Sequence, residues 1–107
     1  MKIDADVTRI AKRFGVDAAL IQAVIKAEGN IVRAVQCSIP SVKTREQAIE
    51  ITCRSAVHAM SDYVKANAGP EYVAFWGERW APRGAKNDPT NLNKNFPVNV
   101  TRLWLKK

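Results

Sequence analysis

The residue best placed for chemistry is Glu28, which follows the most apolar stretch of the chain. Residues 18–27 read AALIQAVIKA, where Gln22 and Lys26 are the only polar side chains. A helix that is apolar on nearly every side is a buried helix. Glu28 then lies beside a hydrophobic core at the negative end of a helix dipole, and both surroundings disfavour an ionised carboxylate. We expect a raised pKa, which prepares the acid for proton donation near neutral pH. The alternative is a solvated residue at a helix end.

A second group of residues, suited to binding, lies in the last third of the chain. Trp76 and Trp80 are four residues apart, so both rings lie on one face of a helix. We expect Trp76 in the core and Trp80 partly exposed, because Trp80 adjoins a polar stretch. An aromatic ring can cover the apolar face of a sugar while nearby amides bind its hydroxyl groups. The same arrangement can stack nucleic-acid bases.

The polar stretch RGAKNDPTNLNKNFP is rich in asparagine and offers many short hydrogen-bonding groups. These groups belong to Asn87, Asp88, Asn91, Asn93 and Asn95. Asp88 is the best placed second carboxylate. The alternative is local, since Asn and Asp side chains also cap and shape turns.

The elements that must position these residues are all helices, because no segment alternates between apolar and polar side chains. The spacing predicts helices from about residues 4 to 14, 18 to 27, 44 to 67 and 70 to 81, and a short one near the end. Asp17 is expected as an N-cap, and Thr44 with Gln47 as a capping box. The predicted core stripe of the long helix contains Ile49, Cys53, Ala56, Val57, Met60, Tyr63 and Val64.

Composition restricts the class of protein. The chain has 107 residues, 47% of them hydrophobic, which fits one small all-α domain over residues 1–107. No run is long enough to span a membrane, and the N-terminal segment lacks the apolar stretch of a secretory signal. The two cysteines predict no disulfide scaffold, with Cys53 a buried thiol, and no His/Cys spacing suggests a metal site. The net charge of +7 favours an anionic partner.

A DNA-binding protein is a competing interpretation, because the first 29 residues also fit a helix-turn-helix. Ala11 and Gly15 are small where that motif needs small residues. The second helix, however, presents mostly alanine at its outward positions, and a recognition helix needs polar side chains that reach base edges. We therefore expect no specific nucleic-acid partner.

Two segments together suggest a family. The run IAKRFGVDAALIQAVIKAEGN resembles the segment of soluble lytic transglycosylases and lysozyme-like muramidases that ends in the catalytic glutamate. The run FWGERWAPRGAKNDPTNLNKNF resembles the C-terminal portion of phage-encoded, lysozyme-like cell-wall hydrolases. The resemblance implies a lysozyme-like helical domain in which Glu28 is the general acid/base. It also implies that Trp80, Asn87 and Asp88 contact the substrate, and Asn91 in the same polar stretch is a further candidate.

The resemblance implies cleavage of peptidoglycan glycan strands by a monomer that needs no metal or organic cofactor. In lytic transglycosylases one glutamate suffices, because the 6-hydroxyl of the sugar itself closes onto the anomeric carbon. The protein would be made in the bacterial cytoplasm and act at the cell wall after release or within a phage particle. A third interpretation is a phage structural protein with a lysozyme-like fold and no activity.

Overall fold

The chain folds into helices, as its sequence predicts. The computed structural model describes residues 2–66, 72–80 and 96–105, and these ranges contain six helices and no strand. The helices are α1 (Ala5–Phe14), α2 (Ala18–Glu28), α3 (Ile31–Gln36), α4 (Arg45–Ala66), α5 (Tyr72–Trp80) and α6 (Phe96–Leu105). Their buried side chains form one hydrophobic cluster. The start of the helix expected at Pro70 lies outside the described residues.

Helix α2 is the central element of this cluster. Every residue from 19 to 25 is buried, and α1, α3, α4 and α6 all pack against the helix. Even Gln22 is buried, where its side-chain oxygen accepts the backbone N–H of Asp4 at 3.0 Å. The last turn leaves the core, since Lys26 and Ala27 are exposed. The buried part of α2 therefore ends just before Glu28.

The helix starts follow the capping residues in the sequence. Asp17 accepts the backbone N–H of Ala19 at 2.9 Å, which confirms it as the N-cap of α2. Thr44 and Gln47 form the predicted capping box, because each side chain bonds the backbone N–H of the other, at 3.1 and 3.2 Å. Asn30 caps the short helix α3 by accepting from Arg33.

The buried face of α4 differs in part from the predicted stripe. Val57 and Met60, both expected in the core, are 36% and 44% exposed. Thr52 and Ala59 are buried instead. Thr52 tolerates burial because its hydroxyl donates to the backbone oxygen of Ala48 at 2.8 Å. Thr52 and Ala59 thus lie in the core, whereas Val57 and Met60 face outward.

An aromatic cluster fixes α5 on α4. Trp76 is completely buried, as expected, and its indole N–H donates to the hydroxyl of Ser55 at 2.9 Å. The hydroxyl of Tyr72 donates to the backbone oxygen of Ala56 at 2.7 Å. Phe96 of α6 packs edge-on against Trp76. These two hydrogen bonds, from Tyr72 and Trp76 to α4, give α5 a defined position along α4.

The remaining sequence predictions on single side chains also have outcomes. Cys37 and Cys53 are both free, Cys53 is buried as expected, and burial raises the pKa of its thiol to about 11. His58 is exposed. None of the helices in the described ranges combines the length and the hydropathy that a bilayer-spanning segment needs.

Candidate active site

Glu28 is the last residue of α2, at the point where the helix emerges from the core. Its side chain is half-buried. Gly29 ends the helix with φ +80°, a backbone conformation that residues with a Cβ rarely adopt, and its N–H donates to the backbone oxygen of Ile25 at 3.0 Å. The glycine thus stops the helix directly after the acid.

The structure brings Trp80 to Glu28. The indole N–H of Trp80 donates to Oε1 of Glu28 at 3.2 Å. Trp80 is the last residue of α5, and its ring lies against that of Trp76 with centroids 5.8 Å apart. Two helix ends that are 52 residues apart in the sequence therefore meet at one carboxylate.

The electrostatic surroundings of Glu28 have two opposing effects. Burial is the larger one and raises the pKa of the carboxyl group above its usual value of 4.5. The hydrogen bond from Trp80 acts in the other direction, because it stabilises the ionised form. The net direction is upward, as expected from the sequence. A half-buried acid of this kind retains its proton to higher pH than an exposed glutamate.

Trp80 is half-buried, as expected for a residue at the edge of the core. Because the indole N–H faces Glu28, the ring edge that carries it is engaged in the site. The other proposed substrate contacts, Asn87, Asp88 and Asn91, lie outside the described residues and remain predictions. Within the described ranges, no group of three His, Cys, Asp or Glu side chains has an arrangement that could hold a metal ion.

Sequence reasoning missed the hydrogen bond between Trp80 and Glu28. It selected both residues, but gave Trp80 the role of covering a sugar face. No local pattern signals the pairing, because the two residues are far apart in the chain. The indole of Trp80 therefore has a contact with the candidate acid in addition to any contact with a ligand.

A separate open groove of about 220 Å³ lies beside α4 and does not include Glu28. Its lining mixes apolar and polar side chains: Ile39, Ser41, Val42, Gln47, Glu50, Ile51 and Arg54. Glu28 and Trp80, the predicted site residues in the described part of the chain, do not line it. The groove is thus not part of the candidate site.

Comparisons of the chain with models of protein families, with curated proteins and with solved structures found no match. The geometry around Glu28 is therefore the main basis for a functional assignment.

Proposed function

We propose that this protein is a peptidoglycan-cleaving glycosidase in which Glu28 is the general acid/base. The contact between Glu28 and Trp80 is the observation that carries the proposal. It joins a carboxylic acid whose pKa is raised by burial to an aromatic ring suited to sugars. The two residues come from the two segments whose sequences resemble lysozyme-like wall hydrolases. Their meeting at one point supports a shared role.

Proton transfer through one carboxyl group is enough for the reaction. The protonated Glu28 gives its proton to the glycosidic oxygen as the bond to the anomeric carbon breaks, which leaves a carboxylate. That carboxylate then takes a proton from the hydroxyl group that attacks the anomeric carbon. The attacking hydroxyl belongs either to water or, as the resemblance to lytic transglycosylases suggests, to the 6-position of the same sugar. Glu28 ends the cycle protonated in both cases.

The charge of the protein fits a cell-wall substrate. Seventeen basic and ten acidic residues give a net charge of +7. Bacterial cell walls carry acidic polymers, so a cationic protein is attracted to them over a distance of about a Debye length. This attraction favours encounter with the wall but does not select the bond that is cleaved.

The surroundings of α2 favour the glycosidase over a helix-turn-helix protein. In a helix-turn-helix protein, α2 would be the recognition helix and would point Ala19, Gln22 and Ala23 outward. In the structure these three residues are buried. A recognition helix must expose one face to enter the major groove. The burial of α2 is instead what a helix needs in order to hold an acid at the edge of a core.

Lysis of cell walls in a gel tests the proposal directly. The wild-type protein should clear purified peptidoglycan. Glu28→Gln should lower the rate by about 100-fold or more, the usual contribution of a general acid. Glu46→Gln is the matched control, because Glu46 is an exposed glutamate that pairs with Arg9 across α1 and α4. Its lysis should equal that of the wild type.

Other outcomes assign the protein differently. Equal clearing by the Glu28→Gln variant would remove Glu28 from the mechanism. No clearing by a folded wild-type protein, together with retention on insoluble peptidoglycan, would favour a lysozyme-like structural protein without activity.

A further inference from the structure

We infer that Trp80 is a positioning residue for Glu28, whose indole N–H holds Oε1 and leaves Oε2 as the oxygen that carries and delivers the proton. This inference rests on the proposed function for the delivery of the proton to a substrate. The placement of the proton on one oxygen follows from the pairing alone.

The chemistry of the indole group decides which oxygen is protonated. An indole N–H donates a hydrogen bond and has no lone pair to accept one. The oxygen that it contacts must therefore accept, in the acid as well as in the carboxylate. Oε1 lies 3.2 Å from Nε1 of Trp80. The carbonyl oxygen of a carboxylic acid is a stronger acceptor than its hydroxyl oxygen, so the contact favours Oε1 as the carbonyl oxygen of the protonated acid. The proton then resides on Oε2.

The position of Trp80 is fixed by contacts that begin on another helix. Ser55 of α4 accepts the indole N–H of Trp76, which is completely buried. The ring of Trp76 in turn packs against that of Trp80. Because buried, hydrogen-bonded side chains have few alternative conformations, the donor at Trp80 is held in place before a substrate arrives. This arrangement orients the carboxyl group of Glu28 in advance.

The charged groups on the elements around Glu28 do not replace Trp80 in this role. Lys26 lies two residues away on α2 and is exposed, α3 carries Arg33, and α6 carries Arg102. On α5, Glu78 and Arg79 precede Trp80. Among the described residues, none of these charges shifts the pKa of Glu28, which burial raises and the Trp80 hydrogen bond lowers.

The acidic groups of the N-terminal segment are engaged elsewhere. Asp4 and Asp6 both receive hydrogen bonds from Arg45 of α4, at 2.6 and 2.8 Å. Asp62 of α4 pairs with Arg79. The carboxylates of α1 and α4 thus have cationic partners of their own, and the described contact that selects between the two oxygens of Glu28 is the one with Trp80.

The molecule contains a natural control for this pair. The indole N–H of Trp104 donates to Oδ2 of Asp17 at 3.0 Å, at the opposite end of α2. A helix of 11 residues is about 16 Å long, so the two pairs are well separated. Replacing either tryptophan by phenylalanine removes the donor and keeps an aromatic ring. Only the change at position 80 should affect Glu28.

Titration by NMR of the full chain, with labelled indole nitrogens and labelled glutamate carboxyl carbons, tests the inference. In the wild type, the indole signal of Trp80 should shift with the same inflection as the Glu28 carboxyl carbon, and Glu28→Gln should abolish that inflection. In Trp80→Phe the pKa of Glu28 should rise further, because the bond that stabilises the carboxylate is lost. The pH profile of lysis should move upward with it. Trp104→Phe should leave both unchanged.

Two results would overturn the inference. One is an indole signal of Trp80 that does not follow the titration of Glu28. This measurement needs no variant at position 80. The other is a folded Trp80→Phe variant in which the pKa of Glu28 is unchanged or lower. Failure of the proposed function is distinguishable, because a wild type without lytic activity but with the coupled titration would keep Trp80 as the positioning residue of Glu28 and exclude only the glycosidase.

Discussion

The two ends of α2 carry the same pair of chemical groups in different surroundings. At the N-terminus, Asp17 accepts the indole N–H of Trp104 at 3.0 Å. At the C-terminus, Glu28 accepts the indole N–H of Trp80 at 3.2 Å. One carboxylate caps the helix and the other is the candidate acid.

Helix polarity and burial explain the difference. Asp17 is exposed and lies where backbone N–H groups point outward, so its second oxygen also bonds the N–H of Ala19. Glu28 is half-buried and lies where the unpaired backbone groups are carbonyls, which cannot donate to it. The same hydrogen bond therefore completes a structural cap at one end. At the other end it is the described partner of an acid whose pKa burial raises.

The largest expected effect comes from shortening the acid. Glu28→Asp keeps the charge but withdraws the carboxyl group by about 1.5 Å, the length of one C–C bond. Misplacement of about 1 Å can lower a rate by about 100-fold, and we expect a loss of that size in lysis. The free energy of unfolding should change little, because Glu28 caps nothing. Turbidity loss of cell-wall suspensions and urea unfolding measure the two quantities.

Asp17→Ala, at the other end of α2, should lower stability and leave lysis largely intact. Loss of an N-cap costs about 0.5–2 kcal/mol of stability, and lysis by the folded protein should persist. If Asp17→Ala lowered lysis as much as Glu28→Asp, the two ends would not differ in role and the comparison would fail.

A smaller effect is expected at the glycines that precede and follow α2. Gly15 and Gly29 have φ of +69° and +80°, and a Cβ at either would meet no atom within 4 Å. Alanine should therefore destabilise the fold through backbone strain alone, by about 1–2 kcal/mol at Gly15, which is left-handed helical. The cost should be larger at Gly29, whose ψ of −61° lies outside that region. Only Gly29→Ala should also lower lysis, because strain there moves the adjacent Glu28. The two variants are compared by thermal unfolding and by lysis at one temperature. Equal lysis by both would show that the backbone conformation of Gly29 does not position Glu28.

The smallest effect is on the pH dependence of stability. The folded protein holds the Glu28 proton above the usual pKa of 4.5, where the unfolded chain releases it. The native state then binds more protons, so this group lowers stability as the pH rises through that window. Relative to wild type, Glu28→Gln should gain stability as the pH rises above about 4.5. Urea unfolding at several pH values measures this difference.

Asp6 supplies a contrast of sign. The hydrogen bond from Arg45 lowers the pKa of Asp6 below its usual 3.8, so its stabilising contribution is present above that pH and is lost on acidification through the folded pKa. The wild type should therefore be more stable than Asp6→Asn above that pH, and this difference in the free energy of unfolding should shrink as acid is added. A Glu28→Gln variant with the same trend would contradict the raised pKa.

Much of the fold could be predicted because the signals are local. Asp17 at a helix start, Thr44 with Gln47, and Gly29 after the acid each act on backbone groups within a few residues. The burial of α2 was also visible, since a helix with almost no polar side chain has no stable exposed face. The candidate acid follows from these local features.

The buried face of α4 was only partly predictable. Hydrophobicity ranks Val57 and Met60 above Thr52 and Ala59, yet the structure buries the second pair. The choice depends on which helix packs alongside and on the hydroxyl of Thr52, which finds its partner within its own helix. The spacing of apolar residues predicts neither the surface of the neighbouring helix nor a small rotation of α4 about its axis.

The sequence by itself determined most of the helices, the caps at Asp17 and Thr44 and an acid at the end of a buried helix, because interactions within a few residues govern all three. The tertiary structure alone decided that Trp80 donates to Glu28 and that Trp104 donates to Asp17. Those contacts join residues 52 and 87 positions apart. Contacts of that separation depend on how whole helices pack, and a shared core rather than any local pattern sets that packing.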